Sequence, residues 1–215
     1  MEKKYLESVS ASGLFKYLKP GDYENACAEL RMAPHKYMDQ ETIYSQDAPV
    51  KRAGIVHNGL IRGEKLLAEG TSHLAYIYSK GDVFAFEGTV SGKKTSPLDY
   101  VSEGRSVALF FDVQKIFSSS YENALIKGLL ELLANDNIKK LYRVEILSRR
   151  GLRDRILAYL HVMSGNIGSQ TFRINMSREQ IARYLCVNRS ALSYELNEMK
   201  REGIIDFTGR IFTLK

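Results

Sequence analysis

The sequence predicts an α+β chain: an N-terminal antiparallel β-roll of the jelly-roll kind, a long central helix and a C-terminal winged helix-turn-helix. Three observations carry that prediction. Short apolar stretches between Glu41 and Asp112 alternate with Gly and Asn-Gly turn signals, the spacing of an antiparallel sandwich or barrel. Between about Ser119 and Arg149 the apolar period becomes helical. From Ser177 to Gly203 the chain reads SREQIARYLCVNRSALSYELNEMKREG, two helical patterns separated by a break at Cys186-Val187-Asn188. The expected division is 1–118 for the β-roll, 119–148 for the central helix and 149–215 for the helix-turn-helix unit.

Taken in order, Met1 to about Tyr37 leans helical. Leu14, Phe15 and Leu18 precede Pro20-Gly21, and Ala26, Ala28 and Leu30 follow, so short helices are expected to close one end of the roll. The strand candidates are Ile55-Val56, Leu60-Ile61, Leu66-Leu67, Leu74 to Tyr78, Val83 to Phe86 and Val107 to Phe111. Ser118-Ser119-Ser120 offers an N-cap to the central helix. Within it Ile126, Leu130, Leu133, Asn137, Lys140, Val144 and Leu147 follow a 4-3 spacing, with Leu129 and Leu141 beside them. That pattern suits a two-stranded coiled coil whose polar seam positions set register, or a long helix packed on its own domain. Arg149-Arg150-Gly151 reads as a hinge, Leu152 to Met163 as the first helix of the last unit, and Phe172 to Met176 as a short strand.

In the helix-turn-helix stretch, Ser177 and Gln180 form a capping-box pattern, Asn188 suits the N-cap of the second helix, and Gly203 suits its left-handed end. Leu192, Leu196 and Met199 recur at helical spacing and are expected inside, leaving Arg189, Ser190, Ser193, Tyr194 and Asn197 on the solvent face. Such a helix can enter the DNA major groove with its first residues at base edges. Arg189 is the leading base reader, because its planar fork can donate to O6 and N7 of one guanine. Ser190, Ser193 and Tyr194 are the other candidate base contacts. Ile204 to Phe207 and Arg210 to Leu214 flank Thr208-Gly209 as a hairpin, with Arg210 placed to reach a phosphate. The competing reading is an ordinary helical hairpin with a solvated polar face.

Charge favours DNA. Of the 215 residues, those from Arg149 to Lys215 hold 12 Lys+Arg against 6 Asp+Glu, while the remainder holds 19 of each, so the whole net charge of +6 sits on the last unit. Hydrophobic content of 44% with 26% charged is ordinary globular composition. No apolar run is long enough to cross a bilayer, and MEKKYLESVS has no apolar signal core, so a soluble, cytoplasmic protein without a membrane partner is expected. Cys27 and Cys186 offer neither metal-ligand spacing nor a disulfide framework, and no cofactor or metal is expected. His35, His57, His73 and His161 are scattered and read as structural rather than as haem ligands; without a His-x-His pair a metal-dependent jelly-roll enzyme is not supported.

SREQIARYLCVNRSALSYELNEMKREGII resembles the C-terminal winged helix of the Crp–Fnr family of bacterial transcription regulators. The resemblance implies that Ser177, Arg178 and Asn188 hold phosphates while Arg189 reads a base. Family members that read a second base pair carry Glu after that arginine and Arg five positions on; here Ser190 and Tyr194 stand there, so the operator sequence does not transfer. The family's common turn glycine is Cys186, which would sit awkwardly at a positive φ. GIVHNGLIRG resembles the family's strand, x-x-Gly, strand hairpin, and YSKGDVFAF the turn before its ligand cassette, which implies a cyclic-nucleotide-binding-like roll. Cyclic-nucleotide binders in the family carry Gly-Glu-Leu and then Arg-Ser-Ala, whose arginine pairs with the cyclic phosphate. This chain reads Ala85-Phe86-Glu87-Gly88 and Thr95-Ser96-Pro97-Leu98, without the arginine. Lys93 and Lys94 read as a solvated hairpin tip, the alternative being a phosphate partner. Tyr76, Tyr78, Phe84, Phe86, Ser96 and Tyr100 are the candidate effector-pocket residues, suited to a largely uncharged small molecule. The oxygen-sensing branch of the family holds an iron–sulfur cluster on a cysteine set that this chain lacks.

The resemblance thus implies a homodimer paired through the central helix, double-stranded DNA with an inverted-repeat operator as partner, and no enzymatic activity. A small-molecule effector other than cyclic AMP is expected, and RNA polymerase is a further candidate partner. The alternative is a ligand-independent regulator whose β-roll serves only dimerisation or polymerase contact.

Overall fold

One long strand, Ala53–Leu66 (β3), frames the first half of the molecule. The structure, a computed structural model, describes residues 2–215, and the chain divides into two units, Met1–Asp136 and Asn137–Lys215. The first unit begins with α1 (Lys3–Ala11) and α2 (Tyr23–Glu29). It continues with β1 (Ala33–Tyr37), β2 (Thr42–Tyr44), β3, β4 (Ser72–Tyr78), β5 (Val83–Phe84), α3 (Phe86–Val90) and β6 (Asp99–Phe111). The strands are antiparallel in the order β1-β6-β3-β4, with β2 also on β6 and β5 also on β3.

Alternation buries both faces of β6. Leu109 and Phe111 join Leu14, Phe15, Leu30, Ile55 and Leu125 in one core, while Ala108 and Phe110 join Val56, Ile61, Phe84 and Tyr100 in the other. The α+β fold with an antiparallel N-terminal sheet, a long helix and a C-terminal helix-turn-helix is as expected, but four local readings change. The sheet begins at Ala33 rather than near Glu41. Asn58-Gly59 does not reverse the chain: β3 pairs with β6 on both sides of it, Val56 opposite Ala108 and Leu60 opposite Glu103, and the register shifts between. Gly59 is required there, because at φ 79° an added Cβ would meet Ser106 Oγ at 2.4 Å. Phe86 starts the short helix α3 instead of ending a strand, and its ring joins the Leu14–Phe15 core rather than the Phe84–Tyr100 core. Finally, the central helix α4 spans Glu122–Leu147, beginning after the serine run. Ser119 Oγ accepts from the Tyr121 amide at 3.1 Å just ahead of the helix, while Ser119 and Ser120 also hand their hydroxyl and amide protons to the Glu29 carboxylate at 2.6 and 2.8 Å, which holds that carboxyl below its usual range.

The second unit takes the end of α4, then α5 (Leu152–Ile167), β7 (Thr171–Arg173), α6 (Arg178–Tyr184), α7 (Arg189–Arg201), β8 (Ile205–Thr208) and β9 (Ile211–Leu214). α5 runs one turn past Met163 and closes on Gly168 in the left-handed region, and the small sheet is ordered β7-β9-β8. Ile146, Ile156, Leu160, Ile181, Leu185, Leu192, Leu196 and Met199 form its core. No helix among the described residues is long and apolar enough to cross a membrane.

In the first unit α4 touches the backbone of the Gly13–Phe15 turn. A Cβ on Gly128 would lie 2.2 Å from the Leu14 carbonyl oxygen. Gly128→Ala should therefore lower stability by about 1–2 kcal/mol in urea unfolding, overpacking outweighing the helix propensity gained. An unchanged or raised midpoint would show that α4 can shift away freely.

Candidate nucleic-acid interface

The interface expected from the sequence is built from the caps outward. The Ser177 hydroxyl accepts from the Gln180 amide at 3.2 Å while Gln180 Oε1 accepts from the Ser177 amide at 2.6 Å, completing the capping box. The Ser177 hydroxyl proton remains available to a phosphate oxygen. Cys186 then turns the chain in the left-handed region, φ 56°, where the expected awkwardness is real: an L side chain crowds its own carbonyl there. The thiol is exposed, whereas that of Cys27 is buried and pushed up to about 12 by burial. Asn188 caps α7 by accepting from the Ser190 amide at 2.8 Å. Gly203 ends the helix at φ 78°.

With Leu192, Leu196 and Met199 buried, the opposite face of α7 is turned out. Arg189, Ser190 and Asn197 are exposed, Ser193 is half-buried, and Tyr194 is 67% exposed, a large aromatic ring held in water. Arg189 Nε lies 3.9 Å from Glu179 Oε2, so the fork of the guanidinium is near a carboxylate from α6. The hairpin turn consists of Gly209 and Arg210, one residue later than expected, because Thr208 still pairs with Ile211. Arg210 is exposed at the tip, and its carbonyl accepts from the Ile174 amide at 2.9 Å.

Arg178 differs from its neighbours. It is half-buried, its guanidinium lies 4.6 Å from the ring centres of both Phe207 and Phe212, and Nη2 donates to the Gly209 carbonyl at 3.4 Å. Burial pushes its pKa down. Two anchors of α7 have no local sequence signal. Arg153 at the start of α5 pairs with both Glu202 oxygens at 2.7 and 2.9 Å and with Glu195 at 2.5 Å, 49 and 42 residues away. Lys200 pairs with Asp206 at 2.6 Å and donates to the Phe207 carbonyl at 2.9 Å, tying α7 to the hairpin. A screened surface pair contributes little, but the bidentate Arg153–Glu202 geometry orients as well as attracts.

The expected effector residues are only partly together. Tyr78, Phe84 and Tyr100 pack ring on ring at 5.5 to 6.0 Å, and Tyr76 lies against Tyr78 at 5.7 Å. Phe86 belongs to the other core. Ser96 is buried with its hydroxyl donating to the Leu98 carbonyl. Lys93 and Lys94 are exposed on a turn, as a solvated tip would be. A cavity of about 720 Å³ opens instead in the second unit, beside Tyr142, Arg149, Asp154 and His161. Among the described residues no group of three or more His, Cys, Asp and Glu is placed to hold a metal ion.

Comparison with known proteins bears on this interface directly. Residues 154–215 match the family model of the Crp-like helix-turn-helix domain. The chain is similar to electron transport regulator A of Shewanella oneidensis, 20% identical over 175 residues covering 79% of this chain and 70% of that protein. It is also similar to the fumarate and nitrate reduction regulatory protein of Escherichia coli, 17% identical over 232 residues covering 100% of this chain and 92% of that one. Among solved structures, the c-di-GMP responsive global regulator CLP of Xanthomonas campestris shares the fold at a TM-score of 0.69 and 16% identity, covering 91% of this chain and 99% of that one. Residues 154–215 thus form a Crp-like helix-turn-helix domain, and over most of its length the chain is similar to regulatory proteins of the Crp–Fnr kind.

Proposed function

We propose that this DNA-binding regulator acts as a homodimer on an inverted-repeat operator and is controlled by a small molecule other than cyclic AMP. The observation that carries the DNA reading is the outward row of Arg189, Ser190, Ser193 and Tyr194 on α7, flanked by Ser177, Asn188 and Arg210. Arg189 would read a guanine, and Tyr194, large and exposed, would contact a neighbouring base or its sugar. Ser177, Asn188 and Arg210 would hold phosphates.

The homodimer rests on α4. Leu130, Leu141 and Val144 are 61%, 61% and 67% exposed, and with Asn137 they occupy one heptad face. Ile126 and Leu133, expected in that seam, pack against their own unit, and Lys140 is exposed at its edge. The seam thus passes through Leu141 rather than Lys140. Control by an effector is supported by CLP, which is described as c-di-GMP responsive. One observation favours the second reading, a roll without a ligand: Tyr78, Phe84 and Tyr100 occupy the interior themselves.

Four measurements test this reading. Genomic fragments selected by the purified protein should carry an inverted repeat with half-sites about 34 Å, one helical turn, apart. Arg189→Ala should cost about 1–3 kcal/mol per half-site and relax one guanine; unchanged affinity and unchanged sequence preference would place the reading face elsewhere. Replacing Leu141 and Val144 together by Glu should give monomers in sedimentation, since each charge would be buried unpaired in the seam. A variant still dimeric at micromolar concentration would move the interface off this face. Calorimetry with cyclic AMP and cyclic GMP should show no micromolar binding, because no arginine offsets desolvation of the cyclic phosphate. Micromolar binding would make Lys93 or Lys94 the phosphate partner.

A further inference from the structure

We infer that Arg178 is a positioning residue that clamps the wing hairpin to the helix-turn-helix, and that it supports the DNA contact of Arg210 without holding a phosphate itself. The inference rests on the DNA-binding reading above. Arg178 is the first residue of α6, where a cation faces the positive end of the helix dipole. A free phosphate-seeking arginine at that position would extend into solvent. This one lies against the hairpin, 4.6 Å from the centres of both Phe207 on β8 and Phe212 on β9. Rings whose faces carry negative charge density suit a planar cation, and Arg stacks on them in a way that Lys cannot.

The same guanidinium donates to the carbonyl of Gly209, the first of the two turn residues from which Arg210 projects. Gly209 lies at φ 58°, so the turn's shape is set at the atom beside the one Arg178 holds. Phe207 also has Lys200 5.0 Å from its centre, and Phe212 stacks on Phe172 at 6.5 Å. Arg178 thus bridges α6 to both strands and to the turn, adding to the β7 pairing and the bond from the Ile174 amide to the Arg210 carbonyl that hold the β9 side. Each strand of the hairpin has only four residues, so side-chain anchors add to how firmly its tip holds one position. A tip that wanders loses its phosphate contact through entropy even when its arginine is intact.

Salt dependence of DNA binding separates a clamp from a direct phosphate contact, since each phosphate contact contributes about 0.9 to the slope of log K against log salt. For a clamp, Arg178→Ala and Arg210→Ala each flatten the slope by about 0.9 per half-site, about 1.8 for the dimer, and the double variant flattens it by no more than either alone. Arg178→Lys, which keeps the charge, should behave like Arg178→Ala. Phe207→Leu, which touches no charge, should flatten the slope in the same way. Amide exchange in the free protein adds a readout independent of DNA: the Ile174 amide, which donates to the Arg210 carbonyl, and the Ile211 amide at the end of the ladder should exchange at least several-fold faster in Arg178→Lys, with α7 amides unchanged. If α7 also loses protection, the variant is unfolding and Phe207→Leu is the deciding measurement. Additive slopes in the double variant, or Arg178→Lys with a wild-type slope and wild-type exchange, would overturn the clamp and return Arg178 to the phosphate row. Loss of all DNA binding by the wild-type protein would instead refute the DNA-binding reading itself.

Discussion

The recognition surface depends on one constraint, the burial of a single stripe of α7. Leu192, Leu196 and Met199 are 0%, 2% and 0% exposed. Their spacing fixes the rotation of the helix about its axis, and the rotation fixes what faces outward. Asn188 fixes where the helix starts, and Cys186 fixes the angle at which it leaves α6. Arg153 and Lys200 then hold its two flanks to α5 and the hairpin. Arg189 and Tyr194 make few contacts of their own with the unit. Their placement is a consequence of apolar packing on the far side of the helix.

This division also explains what could be read in advance. Capping box, N-cap, terminal glycine and apolar period are local signals, and all of them stand where the sequence put them. The Arg153 pairs and the stacking of Arg178 join residues tens of positions apart, so no window of sequence carries them. Asn58-Gly59 failed for a different reason: the same dipeptide suits a two-residue turn and a bulge, and only pairing of β3 with β6 on both sides decides between them. β1 was missed because Ala33-Pro34-His35-Lys36 has no alternation. It is an exposed edge strand, where proline is tolerated and no face needs to be apolar. Among the effector residues, aromatic content was legible, but which rings fill the interior and which start a helix was not. Phe84 and Phe86 share a parity only if the strand continues, and it stops at Phe84.

The ligand cassette carries a cost that the DNA-binding unit shares. Ala85 sits at φ 59°, where glycine would be unstrained, and Cys186 at φ 56° does the same. Both carry a Cβ where glycine would be unstrained, and at Cys186 the family resemblance implies that glycine. At Cys186 the turn is retained because α6 and α7 bury large apolar faces across it. At Ala85 the turn is retained because it lets Phe84 and Phe86 point into two different cores. The backbone path of the cassette therefore persists for packing reasons, even where the residues that would hold a cyclic phosphate are absent. Shape without the arginine accords with a ligand other than a cyclic phosphate, and the ring cluster of Tyr78, Phe84 and Tyr100 is what such a ligand would have to displace.

The two faces of α4 bear differently on assembly. Between Glu122 and Leu133 one side of the helix is committed to the first unit's own core: Leu125 and Leu129 are buried, Ile126 and Leu133 lean on them, and Gly128 meets backbone. A heptad drawn through Ile126, Leu133 and Lys140 runs along the edge of that committed side, so it cannot also be a free seam. A shift of one position at the later sites, from Lys140 to Leu141, moves the stripe onto residues that their own chain leaves in water. Apolar side chains at Leu130, Leu141 and Val144 would be poor choices for a permanently solvated face, since each gains about 1.5–3 kcal/mol when fully buried. Asn137 in their midst lowers the gain and raises the selectivity, because a buried amide is satisfied only when a second amide stands at the same height. The proposed pairing through this face is thereby parallel and in register, the arrangement that presents two recognition helices to the two halves of a symmetric operator.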